Sequence, residues 1–204
     1  MKFNPDIHKR KSIRLKDHDY SGEGLYFITI SIKDKLCLFG EIRNDVLELF
    51  DSGKMIEKYW LELENKFDNV KLHDFVVMPN HFHGVIEIKS NNDCNKCRGI
   101  PCVCHDVNVD NNKRVNTRFT PTGGKFKYCK NSISGIIQYF KSITTNNYIQ
   151  NVYNNNRPSF NKKLWQRNFY EHIIRNEESY LKIIDYINTN PQKWNEDKFY
   201  YTEI

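Results

Sequence analysis

The chain has 204 residues, room for one domain of ordinary size with an insertion, and can bury a core without staples. Hydrophobic residues make up 39% and charged residues 27%, and no stretch approaches the ~18 apolar residues of a membrane span. MKFNPDIHKRKSIRLK lacks the apolar run of a signal peptide, so a membrane protein and a small secreted scaffold are excluded and a soluble, cytoplasmic protein is expected.

The net charge of +6 is unevenly placed. Residues 113–175 hold twelve Lys or Arg and one acid, Glu171, a local +11 that leaves −5 for the rest. Phe126, Tyr128, Tyr139, Phe140, Trp165, Phe169 and Tyr170 lie among these cations. Cations for phosphates and rings for bases suit a single-stranded nucleic acid. A solvated basic face over core aromatics has the same composition.

In chain order, residues 1–20 form a basic, unpatterned arm. LYFITISI (25–32) predicts a strand, and LCLFGEI (36–42) and VLELF (46–50) predict two shorter ones. Asp51 is a plausible helix cap, and Met55, Ile56, Tyr59, Trp60 and Leu63 then follow at helical spacing. VKLHDFVVM (70–78) and HFHGVIEI (81–88) flank Pro79-Asn80, the pattern of an antiparallel hairpin. Residues 89–130 have no apolar period and read as an insertion. A helix is predicted over 132–150, with Ser132 as cap and Ile133, Ile136, Ile137, Phe140 and Ile143 as its stripe. LWQRNFYEHII (164–174) is strand-like. Asn176 caps a last helix that Pro191 ends. The order fits an α+β fold, an antiparallel sheet with helices packed on one face. Its parts are an arm at 1–20, one domain at 21–190 and a tail at 191–204.

Two clusters are suited to metal. Cys94, Cys97, Cys102 and Cys104 follow C-x2-C-x4-C-x-C, tight for a zinc ribbon, yet four thiolates could close around one structural zinc, with His105 as a substitute ligand. An insertion whose cysteines have no specific role fits equally. His81 and His83 open a predicted strand on the same face, where two imidazoles can share a divalent ion while Phe82 anchors the core. In the last helix Tyr180, Leu181, Ile183, Ile184 and Ile187 form the expected buried arc, with Tyr186 and Asn190 one turn apart at its edge. A phenol can attack phosphorus and an amide oxygen can bind metal; an edge tyrosine that only packs is the ordinary alternative.

VVMPNHFHGVIEI resembles the His-hydrophobe-His segment of the single-tyrosine HUH transposases, the IS200/IS605-like family. LWQRNFYEHIIRNEESYLKIIDYINTNPQKW is more similar to their REP-associated tyrosine transposase relatives, in which a Trp-Gln-Arg strand leads to a helix ending Tyr-Ile-x-x-Asn-Pro. RKSIRLKDHDYS and CLFGEI also resemble that family's N-terminal region; the likeness lapses over about residues 89–130.

The resemblance implies a ferredoxin-like HUH core. It implies that His81 and His83 bind a divalent ion, that Tyr186 is the nucleophile and that Asn190 completes the metal site. Asn at that position, where IS200/IS605 enzymes carry Gln, points to the REP-associated subgroup. The implied substrate is single-stranded DNA beside a hairpin, cut through a 5′-phosphotyrosine intermediate by a nucleoid-associated prokaryotic enzyme. A domesticated hairpin-binding protein that no longer cuts is the alternative. Two imidazoles favour Mn²⁺ by ligand preference, whereas availability favours Mg²⁺. Lys11, Arg14, Lys141, Trp165 and Arg167 are the candidate DNA contacts. Monomer and homodimer share the same motifs.

Overall fold

The computed structural model describes residues 23–89, 132–155 and 157–200. The basic arm with Lys11 and Arg14, and the cysteines 94, 97, 102 and 104, lie outside the described residues.

Along the chain come β1 (Gly24–Ser31), a 3-10 turn, β2 (Gly40–Arg43), β3 (Val46–Leu49), α1 (Asp51–Lys66), β4 (Val70–Val77) and β5 (His81–Ile88). Then follow α2 (Ile133–Asn155), β6 (Tyr170–Ile174), α3 (Glu177–Thr189) and a 3-10 segment, Pro191–Glu196. The main sheet has the order β4-β5-β1-β6 with every pairing antiparallel; β2 and β3 form a separate ribbon. Asn44 and Asp45, both at positive φ, make that ribbon's two-residue turn. Among the described residues, no helix is long and apolar enough to cross a membrane.

Strand alternation gives the sheet two apolar faces. Tyr26, Ile28 and Ile30 of β1 and Phe82, Ile86 and Ile88 of β5 join Ile56, Trp60 and Leu63 of α1 and Ile136, Ile137 and Phe140 of α2 in the main core. Each such side chain contributes about 1.5–3 kcal/mol by leaving water. Gly84 keeps that face closed: a Cβ there would stand 2.8 Å from the Trp60 ring and 2.8 Å from Phe82. The opposite face holds a smaller cluster, Phe27, Val85, Ile174 and Ile187, with Tyr180, Ile183 and Ile184 packed against it.

The α+β architecture and its antiparallel sheet agree with the sequence reading. The two longer helices share one face, but α3 lies on the other. Its apolar arc is also narrower than predicted, because Leu181 is 58% exposed. The predicted strand at 36–42 shortens to β2, since the Phe39 N–H turns to bond the Pro79 carbonyl. The one at 164–174 shortens to β6, since Leu164 and Trp165 enter the core and only Trp165 bridges Ile32. Asp51 is the first residue of α1, not its cap; Phe50 holds the cap position without a side-chain bond. Ser132 and Asn176 do cap, accepting from the N–H groups of Gly135 and Ser179.

Candidate metal and nucleophile site

The site lies on the α3 face. Pro79 and Asn80 turn the chain from β4 into β5, and the register pairs Ser31 with His81 and Thr29 with His83. Both imidazoles are buried, one strand repeat apart, with ring centroids 4.5 Å from each other. Phe82, between them, points into the main core as predicted.

Ile187 fixes α3 on the sheet through Phe27 and Val85. That places Tyr186 over His83, its hydroxyl 3.2 Å from Nε2 and its ring edge-on to the imidazole. The phenol is 39% exposed, so an incoming group can reach it. Asn190, one turn on, is buried at the end of α3.

The segment expected as a tail closes the site. Pro191 starts the 3-10 turn, Trp194 packs parallel to the His81 ring, and Phe199 covers it at 4.5 Å. Between them the Asp197 carboxylate comes to 3.9 Å from His81 Nε2 and accepts from Asn190 Nδ2 at 3.3 Å. His81, His83 and Asp197 each offer a ligand atom, all within 4.8 Å of one another. Sequence reasoning missed Asp197. Its signal was an acid seven residues past Asn190, beyond a proline-started turn anchored by a tryptophan.

The donor chemistry fits a divalent ion. His81 Nε2 and Asn190 Oδ1 are buried without a hydrogen-bond partner, an arrangement that costs about 1–3 kcal/mol per group unless something binds there. Burial, reinforced by the Lys198 charge, pushes His81 down to about 3. Burial and then His81 push His83 well below the ordinary histidine range, against the opposing pull of Asp197. Both rings are therefore neutral near pH 7, the form that ligates metal. Two imidazoles, a carboxylate and an amide oxygen make a mixed nitrogen and oxygen donor set of the kind that holds a divalent ion. Burial and Asp197 raise the Tyr186 phenol, while a hydrogen bond with Asn190 pulls it back. At neutral pH the phenol keeps its proton.

Among the described residues, the candidate DNA contacts Lys141, Trp165 and Arg167 do not gather here as a group. Trp165 is a core residue, 5% exposed, between Phe39 and Phe140, with its indole N–H on Thr144. That corrects its reading as a stacking ring. Lys141 is engaged within the protein, its ammonium donating to the carbonyls of Gln166 at 2.9 Å and Asn168 at 3.0 Å. Arg167 is exposed.

No protein-family model matches the chain. An uncharacterized protein of Haemophilus influenzae is 39% identical over 199 residues, 98% of this chain and 97% of that protein. A second Haemophilus influenzae protein, assigned as a REP-associated tyrosine transposase, is 24% identical over 178 residues, 86% of this chain and 74% of its own. Among solved structures, a REP-associated tyrosine transposase bound to a REP hairpin shares the fold, with a TM-score of 0.51 and 18% identity, over 91% of this chain and 77% of that one. The chain shares the fold of a REP-associated tyrosine transposase and is similar in sequence, over most of its length, to a second protein of that description. The likeness spans most of the chain while identity stays low because the sheet and its helices define the fold, and many apolar residues can fill its core.

Proposed function

We propose that the protein is a single-stranded DNA endonuclease and strand transferase that cuts beside hairpin DNA through a covalent bond to Tyr186. The observation that carries this reading is the 3.2 Å approach of the Tyr186 hydroxyl to a two-histidine site with unpartnered ligand atoms. His81, His83, Asp197 and Asn190 Oδ1 would hold a divalent ion, which supplies charge stabilisation for the scissile phosphate.

The Tyr186 oxygen attacks phosphorus. A P–O(Tyr) bond forms, the P–O3′ bond breaks, and the phenol proton is released as the leaving oxygen becomes a 3′-OH. The product is a 5′-phosphotyrosine. A second 3′-OH can reverse the step and rejoin strands, because the phosphodiester energy is kept in the covalent link. Asn190, one turn on from Tyr186, opposes the rise in the phenol's proton affinity. Ile187, anchored on Phe27 and Val85, fixes the helix that carries both. A flexible single strand can place its phosphate beside a half-buried phenol, whereas a duplex must first be opened. The exposed cations Lys162, Lys163 and Arg167 provide phosphate contacts near the start of β6. The hairpin bound by the solved relative supports hairpin DNA as the partner.

Labelled, hairpin-flanked single strands with Mn²⁺ or Mg²⁺ test the reading. The wild type should give an SDS-stable adduct on the 5′-phosphate side, and Tyr186→Phe should give none. A wild type that binds hairpins but forms no adduct leaves a hairpin-binding protein. Equal cutting by both proteins means another nucleophile.

A further inference from the structure

The side chain of Asn80 is not accounted for by the roles above. It sits in the two-residue turn between β4 and β5, 1% exposed, beside the first metal-site histidine. Its backbone carbonyl accepts from the Ile32 N–H at 2.8 Å. Its side-chain nitrogen donates twice, to the Lys35 carbonyl at 3.1 Å and the Phe199 carbonyl at 2.9 Å. These two acceptors fix which way the amide faces, because the flipped amide would set its oxygen against two carbonyl oxygens.

The consequence falls on His81. With the amide so fixed, Oδ1 faces His81 Nδ1 at 2.9 Å. An amide oxygen can only accept, so Nδ1 must carry the hydrogen. A neutral imidazole has one N–H, which leaves Nε2 as a bare lone pair. That nitrogen is the buried atom without a partner, on the side of Asp197 and His83. Asp197 acts the other way: a carboxylate 3.9 Å from Nε2 favours a hydrogen on that nitrogen. The shorter bond to Asn80 opposes it.

We propose that Asn80 is a positioning residue that holds His81 in the Nδ1–H tautomer, so that Nε2 is the atom presented to a divalent ion. The inference rests on the metal-site reading for its purpose, but the tautomer can be measured without metal. The role matches the general need of a metal-bound histidine for an acceptor on its other nitrogen. Here the acceptor is the neighbouring residue, and two carbonyls far apart in sequence orient it. The Phe199 carbonyl belongs to the segment that also brings Asp197, so docking of residues 197–199 sets both the carboxylate and the amide that opposes it.

The experiment uses the full chain, metal-free, labelled with ¹⁵N in its imidazoles, with His81→Gln to assign the signals. Long-range ¹H–¹⁵N spectra near pH 8 should show His81 protonated on Nδ1. In Asn80→Ala the population should move toward Nε2–H, and Mn²⁺ affinity, followed by electron paramagnetic resonance, should fall about 10–100-fold. A folded Asn80→Ala protein with the wild-type tautomer overturns the proposal. So does Nε2–H in the wild type, a result that stands even where the alanine variant fails to fold. A wild type with Nδ1–H that binds no Mn²⁺ would instead sink the metal-site reading and leave the Asn80–His81 arrangement in place.

Discussion

The Tyr186 hydroxyl sits 3.2 Å from Nε2 of His83, whose Nδ1 is held by Thr29 at 2.9 Å. The Tyr186 hydroxyl thus stands against the ring nitrogen that an ion would need. Metal binding and the phenol–imidazole bond compete for one atom. Tyr186→Phe should therefore abolish the covalent adduct while leaving Mn²⁺ affinity equal or tighter by up to about fivefold, the worth of one hydrogen bond. A Mn²⁺ titration checks this. A clear loss of affinity would make the phenol a ligand instead.

Asp197 should matter to the metal as much as the histidines do. Its side chain is 4% exposed and faces both His81 and Asn190. Asp197→Ala should lower Mn²⁺ affinity about 10–100-fold and reduce cleavage in step. Circular dichroism separates this from unfolding, because the Asp197 carboxylate also receives the Phe199 N–H.

Trp165→Ala should cost about 3–5 kcal/mol in urea unfolding, the range for an emptied aromatic site in a core. It also strips Thr144 of the indole bond. Trp165→Phe, which keeps most of the volume, should fold and bind hairpin DNA as the wild type does. A selective loss of DNA affinity in that variant would return the residue to the DNA surface.

Lys141 gives a pH signature. Burial lowers its ammonium to about 8 from an ordinary 10.5, despite the two carbonyls that it bonds. Between those values the unfolded chain binds more protons than the folded one. This residue's contribution to stability therefore rises as pH goes from about 8 to 10.5, and is lost again as pH falls back through that window. Urea midpoints should climb more over that range in the wild type than in Lys141→Met. Parallel curves would contradict the shift.

Gly84 follows His83 because the main-core side of β5 has no room there. Gly84→Ala must displace Trp60 or Phe82 and should destabilise by about 1–3 kcal/mol, read from the melting transition. The strain lands one residue from His83, so if that histidine holds the ion as proposed, Mn²⁺ affinity should fall with it.

Much of this protein was legible in its residues alone. Two-residue periodicity put His81 and His83 on one face and Phe82 on the other, because a strand permits nothing else. The caps at Ser132 and Asn176 and the hairpin at Pro79-Asn80 depend only on neighbours in sequence, so local chemistry sufficed. Helical spacing placed Tyr186 and Asn190 one above the other. The tertiary structure decided the rest. Which sheet face receives α3 depends on pairing partners far apart in the chain, and the sequence pattern alone favoured a single face for all helices. Trp165 has the composition of a stacking ring, and only the packing of Phe39 and Phe140 around it makes it core. Asp197 lies in a segment with no apolar period; Trp194 and Phe199 dock it on His81 by contacts across more than a hundred residues. The length and charge set the expectation of one basic domain with an insertion. Long-range packing determined which of its polar groups meet at the site, since burial and hydrogen-bond direction are properties of the assembled interior.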